Sequence, residues 1–120
     1  MHNFIHFKVN NYRVALNEYD LLLLADLKSD MLHDDVHINN IEPLNSSYSS
    51  ATHHMYFEGC NQIECLAIND LHYLDDVDEQ DISFFPKDTT DDGIIGFILQ
   101  REEIFPIINP LNFSEKWLSE

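Results

Sequence analysis

Residues 91–110, DDGIIGFILQREEIFPIINP, set two short apolar runs on either side of a short polar gap, and a proline then stops the pattern. Runs this short, rich in β-branched residues and bounded by turn-formers, read as strands, and the gap Arg101-Glu102-Glu103 has the length of a hairpin turn. Strands are therefore expected near 94–100 and 104–109, paired antiparallel. The layout recurs along the chain. Phe4 to Val9 is rich in β-formers, Asn10-Asn11 offers a turn, and Tyr12, Val14 and Leu16 alternate on the return. His54 to Phe57 and residues 62–69, QIECLAIN, flank a turn at Glu58, Gly59 and Asn61.

Between the hairpins the signals are less uniform. Leu21 to Leu24 fits either a buried strand or the middle of a helix with Asn17 as N-cap. A short helical turn at 17–20 followed by a strand is the preferred reading. Val36 to Ile41 alternates and is expected to be a strand, while residues 45–52, NSSYSSAT, form a polar loop. Leu71, Leu74 and Val77 interrupt an acidic stretch, followed by Ile82, Phe84 and Phe85. Seven or eight short strands with few helix signals predict a mostly β domain built as one small barrel or a pair.

Length and charge narrow the function. A chain of 120 residues is expected to form one domain over 1–120 with a sizeable core, and 44 % hydrophobic content argues for a folded chain. Its net charge of −16, with Lys8, Arg13, Lys28, Lys87, Arg101 and Lys116 as its cations, opposes direct binding to a phosphate backbone. It favours basic protein surfaces instead. No stretch has the roughly 20 apolar residues of a membrane span, and MHNFIHFKVNN lacks the apolar core of a secretory signal. The expected location is cytoplasmic, with reduced cysteines.

No chemistry-bearing motif assembles. His33 and His37 have i,i+4 spacing, but the strand-like Val36, Ile38 and Ile41 would hold them too far apart to chelate one ion. His53-His54 with His72, Cys60 and Cys65 is a second candidate, yet adjacent strand residues point to opposite faces. Ser46, Ser47, Ser49 and Ser50 lie in a loop without a nucleophile elbow. Gly59, Gly93 and Gly96 are too few and too scattered for a phosphate-cradling loop. Asp75, Asp76, Asp78, Glu79 and Asp81 lack the glycine of a calcium loop, so a solvated acidic face is the plainer reading. Neither catalysis, metal nor cofactor is expected.

From residue 57 onward the order of features resembles the second half of a CheW domain, the adaptor module of bacterial chemosensory arrays. The matching series runs NQIECLAINDLHYL, DDVDEQDISFFP, KDTTDD, GIIGFILQ and REEIFPIINPLNF. Asp70 stands where that family often has an aspartate, Ile82 and Pro86 match its I…P pair, and Ile95-Gly96-Phe97 matches its "i-G-i" element. The front half is similar more loosely, through FIHFKVNNYRVAL and VHINNIEPLN. The family's G-x-x-N-L-R-G signature, tied to kinase and receptor contacts, has no counterpart here.

The resemblance implies two intertwined SH3-like barrels, no catalysis, and scaffolding between a histidine kinase and chemoreceptors or a related role in pilus motility. It also places Tyr19 and Leu21 in the segment where family members contact receptors. Tyr19, between Glu18 and Asp20, suits a half-exposed aromatic anchor, whereas Leu21 to Leu24 could equally be core. A different class of function rests on charge alone. An acidic protein can imitate DNA and occupy the groove of a nuclease, and Asp75, Asp76 and Asp78 would then carry the contacts.

Overall fold

The structure, a computed structural model, describes residues 2–27, 41–59, 61–86 and 93–112. The expected strand at 36–41, the His33–His37 pair and Cys60 lie wholly or largely outside them.

Eight strands form one ladder. They are β1 (His2–Val9), β2 (Tyr12–Asn17), β3 (Leu21–Asp26), β4 (His53–Glu58), β5 (Ile63–Val77), β6 (Ile82–Phe84), β7 (Ile94–Gln100) and β8 (Glu103–Ile108). Their order is β3-β4-β5-β1-β2-β8-β7-β6. Every pairing is antiparallel except β2 with β8, which run parallel and meet at Ala15 and Ile107. Among the described residues the ladder is open, with β3 and β6 at its ends, so the expected barrels appear as an unclosed sheet.

The shared strands β1, β2 and β8 carry apolar residues on both faces. Ile5, Phe7, Val9, Val14, Leu16 and Ile108 join Met55, Phe57, Leu66 and Ile68 in one cluster. Phe4, Ala15 and Ile107 point the other way, into a second cluster with Val77, Ile98 and Phe105. A strand buried on both sides reads as a near-continuous apolar run, which residues 105–108 show and which residues 4–9 show with interruptions at His6 and Lys8.

The three hairpins form where the sequence places them, with one refinement. Gln100 pairs with Glu103, so the last turn holds only Arg101 and Glu102. Both adopt positive φ, 51° and 66°, the mirror-image turn whose twist matches the strands it joins. The helical turn at 17–20 is present as a 3₁₀ turn, Glu18–Asp20, capped by Asn17.

The acidic stretch departs from expectation most. β5 does not end near residue 69 but continues to Val77. Its register against β1 shifts between Asn69 and His72 and again between Leu74 and Val77. Asp70 and Asp76, at φ 51° and 56°, lie within these bulges. Each bulge adds a residue and flips the parity of the strand. The bulges thus carry Leu71 to the first cluster and Leu74 and Val77 to the second, at a spacing of three. The free edge of the first half of β5 is covered by the loop before β4. Leu44 N donates to Cys65 O, and buried Asn45 bonds both the N–H and the C=O of Ala67.

Candidate functional site

Tyr19 owes its position to the cap beneath it. Asn17 Oδ1 accepts from Tyr19 N at 2.9 Å, and Leu21 N closes the turn on Glu18 O. A single 3₁₀ turn has no inward face long enough to bury three side chains, and Tyr19 is 92 % exposed. Beside it lies a shallow cavity of about 470 Å³ lined by His2, Asn3, Asn17, Glu18 and Tyr19. Burial raises the Asp20 carboxyl above the usual range.

The end of β1 links this ring to part of the acidic stretch. Asn3 Oδ1 accepts from Asp76 N at 2.9 Å, holding the second bulge of β5. Asp78 caps the 3₁₀ turn Glu79–Asp81 through Gln80 N, and Glu79 Oε1 lies 3.3 Å from His2 Nε2. Tyr19 and the Asp76–Glu79 corner therefore flank His2 and Asn3 on opposite sides. Asp75 lines a different cavity. Leu21 pairs with Phe57 and packs against the first cluster. A register shift between Leu21 and Leu23 leaves Leu22 as the exposed leucine, at 50 %.

A second constellation sits where β5 bends. His6 and His72 are cross-strand partners whose rings stack with centroids 4.9 Å apart. Arg13 Nη1 donates to His6 Nδ1 at 2.7 Å and to Asp70 O at 3.2 Å, and Arg13 Nη2 pairs with the Asp70 carboxylate. His72 Nε2 lies 2.9 Å from the other Asp70 oxygen. The His72 hydrogen bond, then the charge and hydrogen bonding of Arg13, hold the Asp70 carboxyl below its usual range. His6, Arg13 and His72 line a cavity of about 750 Å³ whose walls also include Tyr73, Asp75, Asp81, Leu99, Arg101 and Glu103.

The sequence does not announce this second cluster, although Arg13, Asp70 and His72 each stand out singly, Arg13 only as one of few cations. Asp70 stood out only as a family aspartate, and His72 only as a companion of the cysteines. Arg13 is the diagonal neighbour of His6, two residues from its partner Ala15, a relation that needs the hairpin register. Bringing in Asp70 and His72 needs β5 to continue past residue 69.

Among the described residues, no group of three His, Cys, Asp or Glu side chains is arranged to hold a metal ion. Cys65 is buried opposite Tyr56, and burial pushes its thiol up to about 11 despite a hydrogen bond with Tyr56. Such a thiol stays protonated at neutral pH and is a poor nucleophile or ligand. The four serines of the 41–52 loop are exposed. No helix among the described residues is long and apolar enough to cross a membrane.

No family model matches the sequence, and no curated protein matches it significantly. A solved structure does. The scaffolding protein TtCheW from Thermoanaerobacter tengcongensis superimposes with a TM-score of 0.57 at 13 % identity, covering 89 % of this chain and 88 % of that one. The expected resemblance is thus present in the backbone over nearly the whole length, and the fold is that of a CheW-type scaffolding protein.

Proposed function

We propose that this chain is a single-domain, non-enzymatic adaptor of a bacterial chemosensory or pilus-motility system, working in the cytoplasm. Its partner is a histidine kinase or a chemoreceptor-like protein. The observation that carries this reading is the likeness to a scaffolding protein along almost the entire chain. The surface we assign to the partner centres on Tyr19, with exposed Leu22 nearby in sequence and Asp76 and Asp78 beyond His2 and Asn3. The reading is supported by the 92 % exposure of Tyr19 on its capped turn, since exposed aromatic side chains commonly dominate interfaces. The surrounding carboxylates speed encounter with a basic partner and make it salt-sensitive.

The test is recovery of the native partner by Tyr19→Ala, with folding checked by circular dichroism. An anchor of this type contributes about 2 kcal/mol or more, so recovery should fall by roughly 30-fold while the fold is unchanged. Full recovery by a folded variant removes Tyr19 from the interface. Loss of binding only after Asp75→Asn, Asp76→Asn and Asp78→Asn are combined would favour the imitation of DNA instead.

A further inference from the structure

We propose that His6, Arg13, Asp70 and His72 form an acid-sensitive clasp at the bend of β5, closed while the His6 ring is neutral and opened when that ring takes up a proton. The inference is independent of the adaptor reading. It starts from the donor inventory. A guanidinium offers only N–H donors and stays charged throughout the accessible pH range. Arg13 Nη1, at 2.7 Å, therefore requires His6 Nδ1 to be a lone-pair acceptor. The single ring proton of His6 must then sit on Nε2.

His72 is under no such constraint. Its Nε2 donates to Asp70 Oδ1, and this bond survives a second proton on the same ring. A proton added to His6 Nδ1 instead turns a donor–acceptor contact into two donors facing each other. It also brings a third cationic or protonatable group against one carboxylate, beside Arg13 and His72.

The charged groups facing His6 come from three neighbouring strands. They are Arg13 from β2, Asp70 and His72 from β5, and Glu103 from β8. The Phe105 ring of β8 lies 4.5 Å from the imidazole and shields it. Burial, then Arg13 and His72, lowers the His6 titration from its ordinary value near 6.5, with Glu103 and Asp70 opposing. A ring with a lowered folded-state value binds fewer protons than the unfolded chain. Its contribution to stability is full above about pH 6.5 and declines as pH falls toward the folded value. The Asp70 carboxylate, itself held low, loses its contribution only in a more acidic range.

The location gives the clasp its consequence. Asp70 occupies the left-handed region at the bulge where β5 leaves β4 and begins to pair with β1. Arg13 grips this residue by both carboxylate and carbonyl, and His6 orients Arg13. Asp70 lines a cavity of about 570 Å³ with Leu24, His53 and Tyr73, and Tyr73 lines the larger cavity as well. Opening the clasp frees the joint between the two halves of the ladder and reshapes both cavities.

The experiment is an NMR titration of the unmodified chain from pH 8 to pH 4.5, following the imidazole nitrogens and the Asp70 amide. The expected result is a neutral His6 protonated on Nε2 at high pH. It titrates below 6.5, and the Asp70 amide moves in the same step. A proton on Nδ1, a titration at or above 6.5, or an Asp70 amide indifferent to that step overturns the clasp. His6→Gln supplies the second arm, because a carboxamide oxygen accepts from Arg13 at every pH. The Asp70 step should vanish in this variant, and its persistence would equally refute the proposal.

Discussion

The two apolar clusters share strands β1, β2 and β8 yet differ in kind. The larger collects buried side chains from five strands, every one of them exposed by 1 % or less. The smaller holds fewer residues and ends at Phe105, which is 5 % exposed and touches the His6 ring. Beyond it, Leu99 and Ile104 form an exposed cross-strand pair, and Phe84 of the end strand β6 is 60 % exposed. One face of the shared strands is thus sealed, and the other opens into a polar cavity and apolar surface. A closed core can supply stability, whereas a core that ends in titratable and exposed groups can respond to ligands, partners or pH.

Ile107 and Ile108 test that division most directly. They are neighbours on β8, each 1 % exposed, and point into opposite clusters. The cost of truncating a buried isoleucine depends on how far its surroundings can collapse. Ile108→Ala, in the sealed cluster, should lose about 4 kcal/mol, near the upper part of the usual range. Ile107→Ala should lose about 2–3 kcal/mol, because the neighbouring cavity leaves room for relaxation. Urea denaturation measures both. Equal losses would mean that the clusters are one core in energetic terms.

Much of this architecture was legible, for identifiable reasons. The first two hairpins combine apolar runs with strong turn residues at short loops, and the third is marked by its two apolar runs and a short polar gap, so local pattern and tertiary pairing agree. The cap at Asn17 was readable because its side chain acts on a backbone N–H two residues away. The second half of β5 was not, since aspartates are poor strand residues and two bulges turn alternation into a spacing of three. The clasp residues followed it into obscurity. His6 and Arg13 could be paired only through register, and Asp70 only after the strand had been carried through its bend. The exposure of Tyr19 is legible from its acidic neighbours, whereas which of Leu21 and Leu22 is the exposed leucine depends on a register shift that no residue pattern announces.

Glycines separate the two regions on a smaller scale. A Cβ on Gly96 would lie 2.1 Å from Ser83 O and 2.9 Å from Phe84 Cα, both backbone atoms of the paired strand β6. On Gly59, beside the larger cluster, the closest approach is 2.8 Å to Glu64 Cγ, a side chain that can swing away, although Gln62 O is also near at 3.0 Å. Gly96→Ala should therefore push β6 off the ladder and cost about 2 kcal/mol, within the range for overpacking. Gly59→Ala should cost less. The domain survives Gly96→Ala because β6 spans only Ile82–Phe84 and lies at the end of the ladder. Amide exchange at residues 96–98 reports the detachment, and unchanged protection there would show that β6 tolerates the side chain.

The smallest expected effect is a gain. Arg101 and Glu102 occupy the left-handed region at φ 51° and 66°, where glycine and asparagine are favoured and a longer L side chain is strained. Left-handed backbone costs an ordinary residue about 1 kcal/mol, and a glycine substitution returns part of that to flexibility of the unfolded chain. Glu102→Gly should therefore stabilise the domain by about 0.5 kcal/mol. It also removes one carboxylate from a chain of net charge −16, a change that acts in the same direction. Glu102→Gln separates the two causes, because it removes the charge and keeps the strain. A gain in thermal midpoint for Glu102→Gly clearly above that for Glu102→Gln assigns the effect to the turn. Equal gains would assign it to charge, and the strain would then be absorbed by the exposed hairpin tip at the open side of the smaller cluster.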